Sequence, residues 1–397
     1  MSLQRAESGS QSSPTPYGLI RRPALFRPRE HAFWLYVALI AVGTWSTVVQ
    51  QNLLEHISPA GFALSWLLLV LYVIPAVVLI SYLDVTRMQP RSLLAGALLW
   101  GAVVATSVAA LGNQGWGLVV ARLGGPEFAA MWSPALTAPV VEEGAKVLGV
   151  ILLAMIAADE FRDPLDGFLY GALVGLGFAV VEDVLYFVAI YGGTPSEVLN
   201  GFLVRVLESG IYGHVLWTGI SGLGVAYLVS MRARRTRARR FAVAGSLLLV
   251  AMAGHFLWDS PLLDLFPRAA ASPWLLVAAG AAVKGLPFLA FAATLVVLAR
   301  RRERRALQAA LSNETLHGSI LPEEIPTLWN RSARRRARRQ VRVRTGRRAA
   351  SAIGRLQREQ LRLAALVERY GAFDMAAERQ RAICSRMRLE LGTHSEP

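Results

Sequence analysis

The chain alternates long apolar runs with short polar stretches. A helix needs about 20 apolar residues to cross the hydrocarbon of a bilayer, and that measure predicts about eight spans, roughly at 32–51, 60–82, 92–112, 133–157, 165–191, 208–231, 241–263 and 274–299. The expected fold is all-α, a polytopic transmembrane helical bundle. Short cytoplasmic loops collect Lys and Arg, and the breaks between runs follow that rule. Arg87 and Arg91 follow the second run, Arg162 the fourth, and Arg232, Arg234, Arg235, Arg237, Arg239 and Arg240 the sixth. The other loops hold isolated arginines. The alternation predicts that both termini are cytoplasmic.

Three segments follow from this pattern. Residues 1–31 form a polar tail carrying Arg21, Arg22, Arg27 and Arg29; the first apolar run begins too far in for a cleavable signal peptide, so an uncleaved anchor is expected. Residues 32–300 form the bundle. Residues 301–397 form an Arg-rich helical extension, expected in the cytosol, with the run RSARRRARRQVRVRTGRR from Arg331 to Arg348 and a helix-favouring stretch from Ser351 to about Leu391. Such a run can contact anionic lipid or nucleic acid, or can be a solvated helix face. No recognition motif accompanies it, which argues against sequence-specific nucleic-acid binding.

Composition agrees with the membrane reading: 54% of residues are hydrophobic, 17% are charged and the mean hydropathy is +0.41. The net charge of +15 sits in tails and one loop rather than over a folded surface. Cys384 is the only cysteine and lies in the polar extension, which excludes an intramolecular disulfide or a multi-cysteine metal site and argues against a cysteine nucleophile. Lys146 and Lys284 are the only lysines, and both fall inside apolar runs.

Charged residues at a helix centre cost about 2.5–3.5 kcal/mol on insertion scales, so they mark functional positions by default. The fourth run holds Glu142, Glu143 and Lys146, the fifth Glu182 and Asp183, the sixth His214, and the seventh His255 and Asp259. Counted from the outer ends at 1.5 Å per residue, Glu142, Glu182, His214 and His255 fall at a common depth of roughly 9–14 Å. Pairs four apart share a helix face: Glu142 with Lys146, Phe178 with Glu182, His255 with Asp259. Pro139 can free a carbonyl near Glu142 where a cavity could form. Each feature has a plain structural reading, as an ion pair or a packed histidine. Together those readings lose force, because a bundle can pack with apolar residues alone. Lys284 is read as structural or as a counter-charge.

The series E-E-x-x-K (Glu142, Glu143, Lys146), F-x-x-x-E (Phe178, Glu182), His214 and H-x-x-x-D (His255, Asp259), each on a successive helix, resembles the PrsW family, a branch of the wider CAAX-type and bacteriocin-processing membrane proteases. The likeness covers roughly Pro139 to Asp259 and leaves both tails outside. It implies an intramembrane protease whose active centre comprises Glu142, Glu143, Glu182, His214, His255 and Asp259, with Lys146 supporting the glutamates. The implied substrate is a membrane-anchored protein, such as an anti-sigma factor.

Peptide hydrolysis needs a captured water, a general base and oxyanion stabilisation. In one version Glu142 or Glu143 takes the proton and His214 or His255 stabilises the oxyanion. In the other, Glu182, His214 and His255, with Asp259 or a glutamate, bind a divalent metal. These ligand types suit zinc, although H-E-x-x-H is absent. A rhomboid-like serine protease built on Ser221 and His255 explains less, because it leaves the glutamates without roles; Gly219 and Gly222 then serve helix packing. A proton- or cation-coupled transporter and a non-catalytic membrane scaffold are the rivals of other classes.

Overall fold

The computed structural model describes residues 24–83, 89–208, 210, 213–232, 234–263, 280–328 and 330–392. Arg21, Arg22, Arg87 and positions 274–279 of the last expected span lie outside the described residues. Every described regular element is helical, with no strand among them.

The bundle comprises α1 (His31–Ile57), α2 (Pro59–Ser81), α3 (Arg91–Gly124), α4 (Pro126–Ile156), α5 (Pro164–Ile190), the short α6 (Pro195–Phe202), α7 (His214–Ser230), α8 (Arg237–Asp259) and α9 (Leu286–Glu314). Six described helices are long and apolar enough to cross a membrane, and the protein is a polytopic membrane protein. Two expected spans stand outside that six, for opposite reasons. Helix α4 is long but carries Glu142, Glu143 and Lys146, and α7 is apolar but short.

The sixth span differs from its expected bounds: α7 starts at His214 rather than 208, after a separate π turn over Leu203–Glu208 that continues α6. The reason is local chemistry. Thr194 opens α6 in a capping box with Glu197 and Pro195, so the helix begins on the preceding loop. Asp163 with Pro164 starts α5 in the same way, and Ser58, followed by Pro59, caps α2 by accepting from the Gly61 N–H. Helix α3 stops at Gly125, whose φ of 87° a residue with a side chain would resist.

Contacts between ends fix the up-down order. At one end Ser58 Oγ donates to the Gly193 carbonyl at 2.7 Å. At the other, Arg27 pairs with Asp159 at 2.7 Å and Arg302 with Asp163 at 3.0 Å. The second end also carries Arg162, Arg234 and Arg240.

Packing tightens around α5, which is buried along most of its length. A Cβ on Gly167, Gly171 or Gly175 would stand 2.0–2.2 Å from the carbonyl oxygens of Gly222, Thr218 and His214, so α5 and α7 meet backbone to backbone. Helices α1 and α2 face outward with large apolar side chains, Trp45 and Leu79 among them.

A second apolar cluster joins the far half of α9 (Leu307, Leu311) to Leu328 on α10 (Ile325–Leu328), to Leu356, Leu363 and Val367 on α12 (Arg347–Tyr370), and to Cys384 on α13 (Met375–Gly392). Between them lies α11 (Arg331–Thr345), and Gly371, at φ 95°, divides α12 from α13.

Candidate active site

Four helices bring their polar residues to one place. Helix α4 runs through Pro134 and Pro139 without a break and turns Glu142, Glu143 and Lys146 inward. The Lys146 ammonium, fully buried, reaches Glu143 Oε1 at 2.9 Å, Glu142 Oε2 at 3.1 Å and His214 Nδ1 at 2.8 Å. It also lies 3.7 Å from the centre of the Phe178 ring. Thr218 on α7 donates to Glu143 Oε2 at 3.0 Å, and Asn113 on α3 donates to Glu142 Oε1 at 2.8 Å. Two buried carboxylates with one cation and two neutral donors form a satisfied cluster; without the cation, an uncompensated buried charge typically costs about 3–5 kcal/mol.

His214 opens α7, and Nε2 lies 3.0 Å from Glu182 Oε2 on α5. His255, on α8, stacks on Trp217 with ring centres 4.4 Å apart and planes at 19°. Its Nε2 lies 3.2 Å from Asp259 Oδ2 and 3.8 Å from Glu142 Oε2. Its Nδ1 is 3.3 Å from Glu143 Oε1 but has no partner in hydrogen-bond geometry among the described residues. The two histidine rings are 5.1 Å apart.

A cavity of about 460 Å³ opens beside this cluster, and Glu142, Glu182, His214, His255 and Asp259 all line it. Glu143 and Lys146 do not; they stand behind Glu142, away from the cavity. Every residue expected at the site from the sequence is therefore within one connected group.

Arg205, an isolated arginine in the sequence, belongs to the same group. From the π turn after α6 its Nη2 reaches Glu182 Oε2 at 2.6 Å and its Nε reaches Asp183 Oδ1 at 2.5 Å, with the guanidinium 3.6 Å over the Tyr186 ring. One planar fork thus holds two adjacent carboxylates. The sequence did hold a signal: a lone arginine between the span that carries Glu182 and Asp183 and the span that carries His214. Asn113, Thr218 and Trp217 also touch the site, and none stands out among ordinary helix residues.

Ser221 is buried and donates to the Thr218 carbonyl at 3.1 Å, away from the cavity lining. Lys284 donates to the carbonyls of Trp258 and Ser260 at 2.8 and 3.0 Å, capping the end of α8.

Donor atoms of Glu142, His214 and His255 all lie within 4.8 Å of one another. Two imidazoles and a carboxylate suit a divalent metal such as zinc. The converging carboxylate is Glu142 rather than the expected Glu182, whose Oε2 is taken by Arg205 and His214. Glu142 and His214 also hold Lys146, so a cation bound there would compete with the ammonium for the same donors.

Residues 89–283 match the family described as PrsW family intramembrane metalloprotease. The chain is 27% identical over 124 residues to Protease PrsW of Clostridioides difficile (strain 630), covering 30% of this chain and 48% of that protein. It is 33% identical over 87 residues to Protease PrsW of Geobacillus kaustophilus (strain HTA426), covering 22% of this chain and 35% of that one. The chain spans less than half the length of these curated relatives. No solved structure matches it. The matched segment extends past the motif-bearing residues to take in α3 and with it Asn113.

Proposed function

We propose, on the match of residues 89–283 to the PrsW family, that the chain is an intramembrane peptidase hydrolysing a peptide bond of a membrane-anchored protein. The observation that carries this reading is the cavity of about 460 Å³ shared by Glu142, Glu182, His214, His255 and Asp259. A water lodged there has carboxylates and imidazoles within reach, the two group types that hydrolysis requires.

Glu142 is the group for accepting the water proton, because its carboxylate faces the cavity whereas that of Glu143 does not. Lys146 and Asn113 hold Glu142 from behind, and Glu143 balances the lysine. His214, steadied by Glu182 and Arg205, and His255, steadied by Asp259 and Trp217, border the position of the scissile carbonyl. The Nε2–H of His214 is committed to Glu182, so His255 is the imidazole left to serve the developing oxyanion. A divalent metal held by Glu142, His214 and His255 would add Lewis-acid polarisation of the carbonyl and lower the pKa of the attacking water. The arginine-bearing end of the bundle is cytoplasmic, with both termini, in the cell membrane. The substrate reading is a signalling protein of the anti-sigma-factor kind.

The test is cleavage of candidate single-span proteins in reconstituted liposomes by the wild type, Glu142→Gln with Glu143→Gln, His255→Ala and Ser221→Ala, each with and without chelator. The proposal expects the glutamate and histidine variants to stay folded and inactive while Ser221→Ala still cuts. Chelator sensitivity would favour the metal version. Normal cutting by the glutamate variants would overturn the assignment.

A further inference from the structure

Between Arg331 and Arg358 the chain carries 12 arginines and no Asp or Glu. Helices α11 and α12 fold these residues into one groove of about 1100 Å³, walled by Arg335, Arg339 and Arg342 on one side and Arg347, Arg355 and Arg358 on the other. All six are exposed. None has an ion-pair partner among the described residues, unlike the arginines next along the extension. Arg362 pairs with Glu359 at 2.6 Å, Arg369 donates to the carbonyls of Asp159 and Ala158, and Arg381 pairs with Glu314 at 2.7 Å. Six exposed arginines without an ion-pair partner among the described residues are thus gathered into a single groove. Like charges so close repel one another unless an anion lies between them. Guanidinium forks facing across a groove match phosphate oxygens.

The groove stays beside the membrane. Arg331, the first residue of α11, lies 4.1 Å over the ring of Tyr82, which ends the membrane helix α2. Arg355, Arg362 and Arg369, spaced seven apart on α12, border one cavity with Asp159 and Glu160 of the α4–α5 loop. Helix α12 therefore lies across that end of the bundle instead of projecting from it, and Arg355 belongs both to this cavity and to the groove.

We propose that the groove between α11 and α12 binds the phosphate headgroups of anionic lipids in the adjoining leaflet, so that the extension is held on the membrane surface. This goes beyond the peptidase reading and uses from it only the orientation of the bundle.

Val343, 80% exposed beside the groove, provides the reporter position. The full chain with Val343→Cys, labelled with an environment-sensitive dye, is placed in nanodiscs of phosphatidylcholine with or without phosphatidylglycerol. Anionic discs should shift the dye emission to the blue, and salt at about 0.5 M should reverse the shift because screening shortens to a few ångströms. Replacing Arg335, Arg339 and Arg342 with Gln should abolish the shift, while Lys at the same positions should retain part of it. Equal emission from both discs overturns the proposal. So does a shift in neutral discs on adding inorganic phosphate or duplex DNA at the same ionic strength, which would assign a soluble anion or a nucleic acid instead. Peptidase activity is not read, so failure here leaves the cleavage site untouched.

Discussion

Lys146 Nζ and His214 Nδ1 stand 2.8 Å apart, and the contact orients the imidazole. A lysine ammonium has donors only, so Nδ1 must accept. The ring hydrogen then belongs on Nε2, which faces Glu182 Oε2 at 3.0 Å. A chain of donors runs from α4 through His214 to α5, and Lys146 sets its direction.

Lys146→Met should break that chain and leave Glu142 and Glu143 without their cation. Loss of about 3–5 kcal/mol of stability is expected, with near-complete loss of cleavage. Adding Glu143→Gln removes one buried charge and should recover part of the stability but not the activity. Thermal unfolding in detergent checks both; a wild-type transition for Lys146→Met would contradict the role given to the ammonium.

Arg205→Lys should separate charge from geometry. An ammonium cannot bridge Glu182 and Asp183 as the guanidinium does, and a lost charged hydrogen bond is worth about 1.5–3 kcal/mol. If that loss falls on the orientation of Glu182, cleavage drops roughly 10- to 100-fold in a protein that still folds. Wild-type cleavage by Arg205→Lys would show that any positive charge suffices there.

Gly175→Ala should damage the site through the backbone. The new Cβ would come within 2.2 Å of the His214 carbonyl oxygen and push α7 from α5. Overpacking of this kind costs about 1–3 kcal/mol, and cleavage should fall with the displacement of His214. Gly144→Ala on α4 is the control: nothing lies within 4 Å of its added Cβ, and replacing a mid-helix glycine by alanine should stabilise by up to about 1 kcal/mol. Equal melting of the two variants would refute the close seam.

Cys384 reports on the folding of the extension. Burial, with Glu359 adding to it, pushes its thiol up to about 12, so in the folded state the proton is held well above physiological pH. Iodoacetamide at pH 8 should therefore modify it at least 100-fold more slowly than an unfolded thiol, whose pKa is about 8.5. Reactivity should climb only as pH approaches 12 or as denaturant opens the extension. Rapid modification under native conditions, read by mass spectrometry, would mean that the apolar cluster around Leu311 and Leu363 does not close over it.

Glu142, Glu182, His214 and His255 were legible in the sequence because a charge or imidazole within an apolar run is conspicuous, and successive helices put all four at one level. Their assembly with Lys146 and Asp259 follows from the i,i+4 spacing on α4 and α8. Asn113 and Thr218 were not legible: uncharged side chains are common in membrane helices, and only the fold shows that they point at Glu142 and Glu143. Arg205 was hidden by its distance along the chain from Glu182. The start of α7 at His214 was not legible: the expected bound at 208 falls on Glu208, the last residue of the π turn that continues α6. In the extension the arginines dominated, masking the stripe of Leu356, Leu363 and Val367 that gives α12 its buried face.

The seam where α5 and α7 meet through Gly167, Gly171 and Gly175 has a mechanical meaning. No side chains stand between the two backbones there, so the helices cannot slide by exchanging rotamers; they behave as a single plank that carries Glu182 along one edge and His214 along the other. A substrate segment entering between helices has to come in over a different wall of the cavity. The π turn after α6 also lines the cavity, and Arg205 ties it to the plank by a guanidinium and no backbone seam. The cavity is therefore stiff on the side that carries Glu182 and His214, where backbone meets backbone, and held by side chains alone on the side of the π turn.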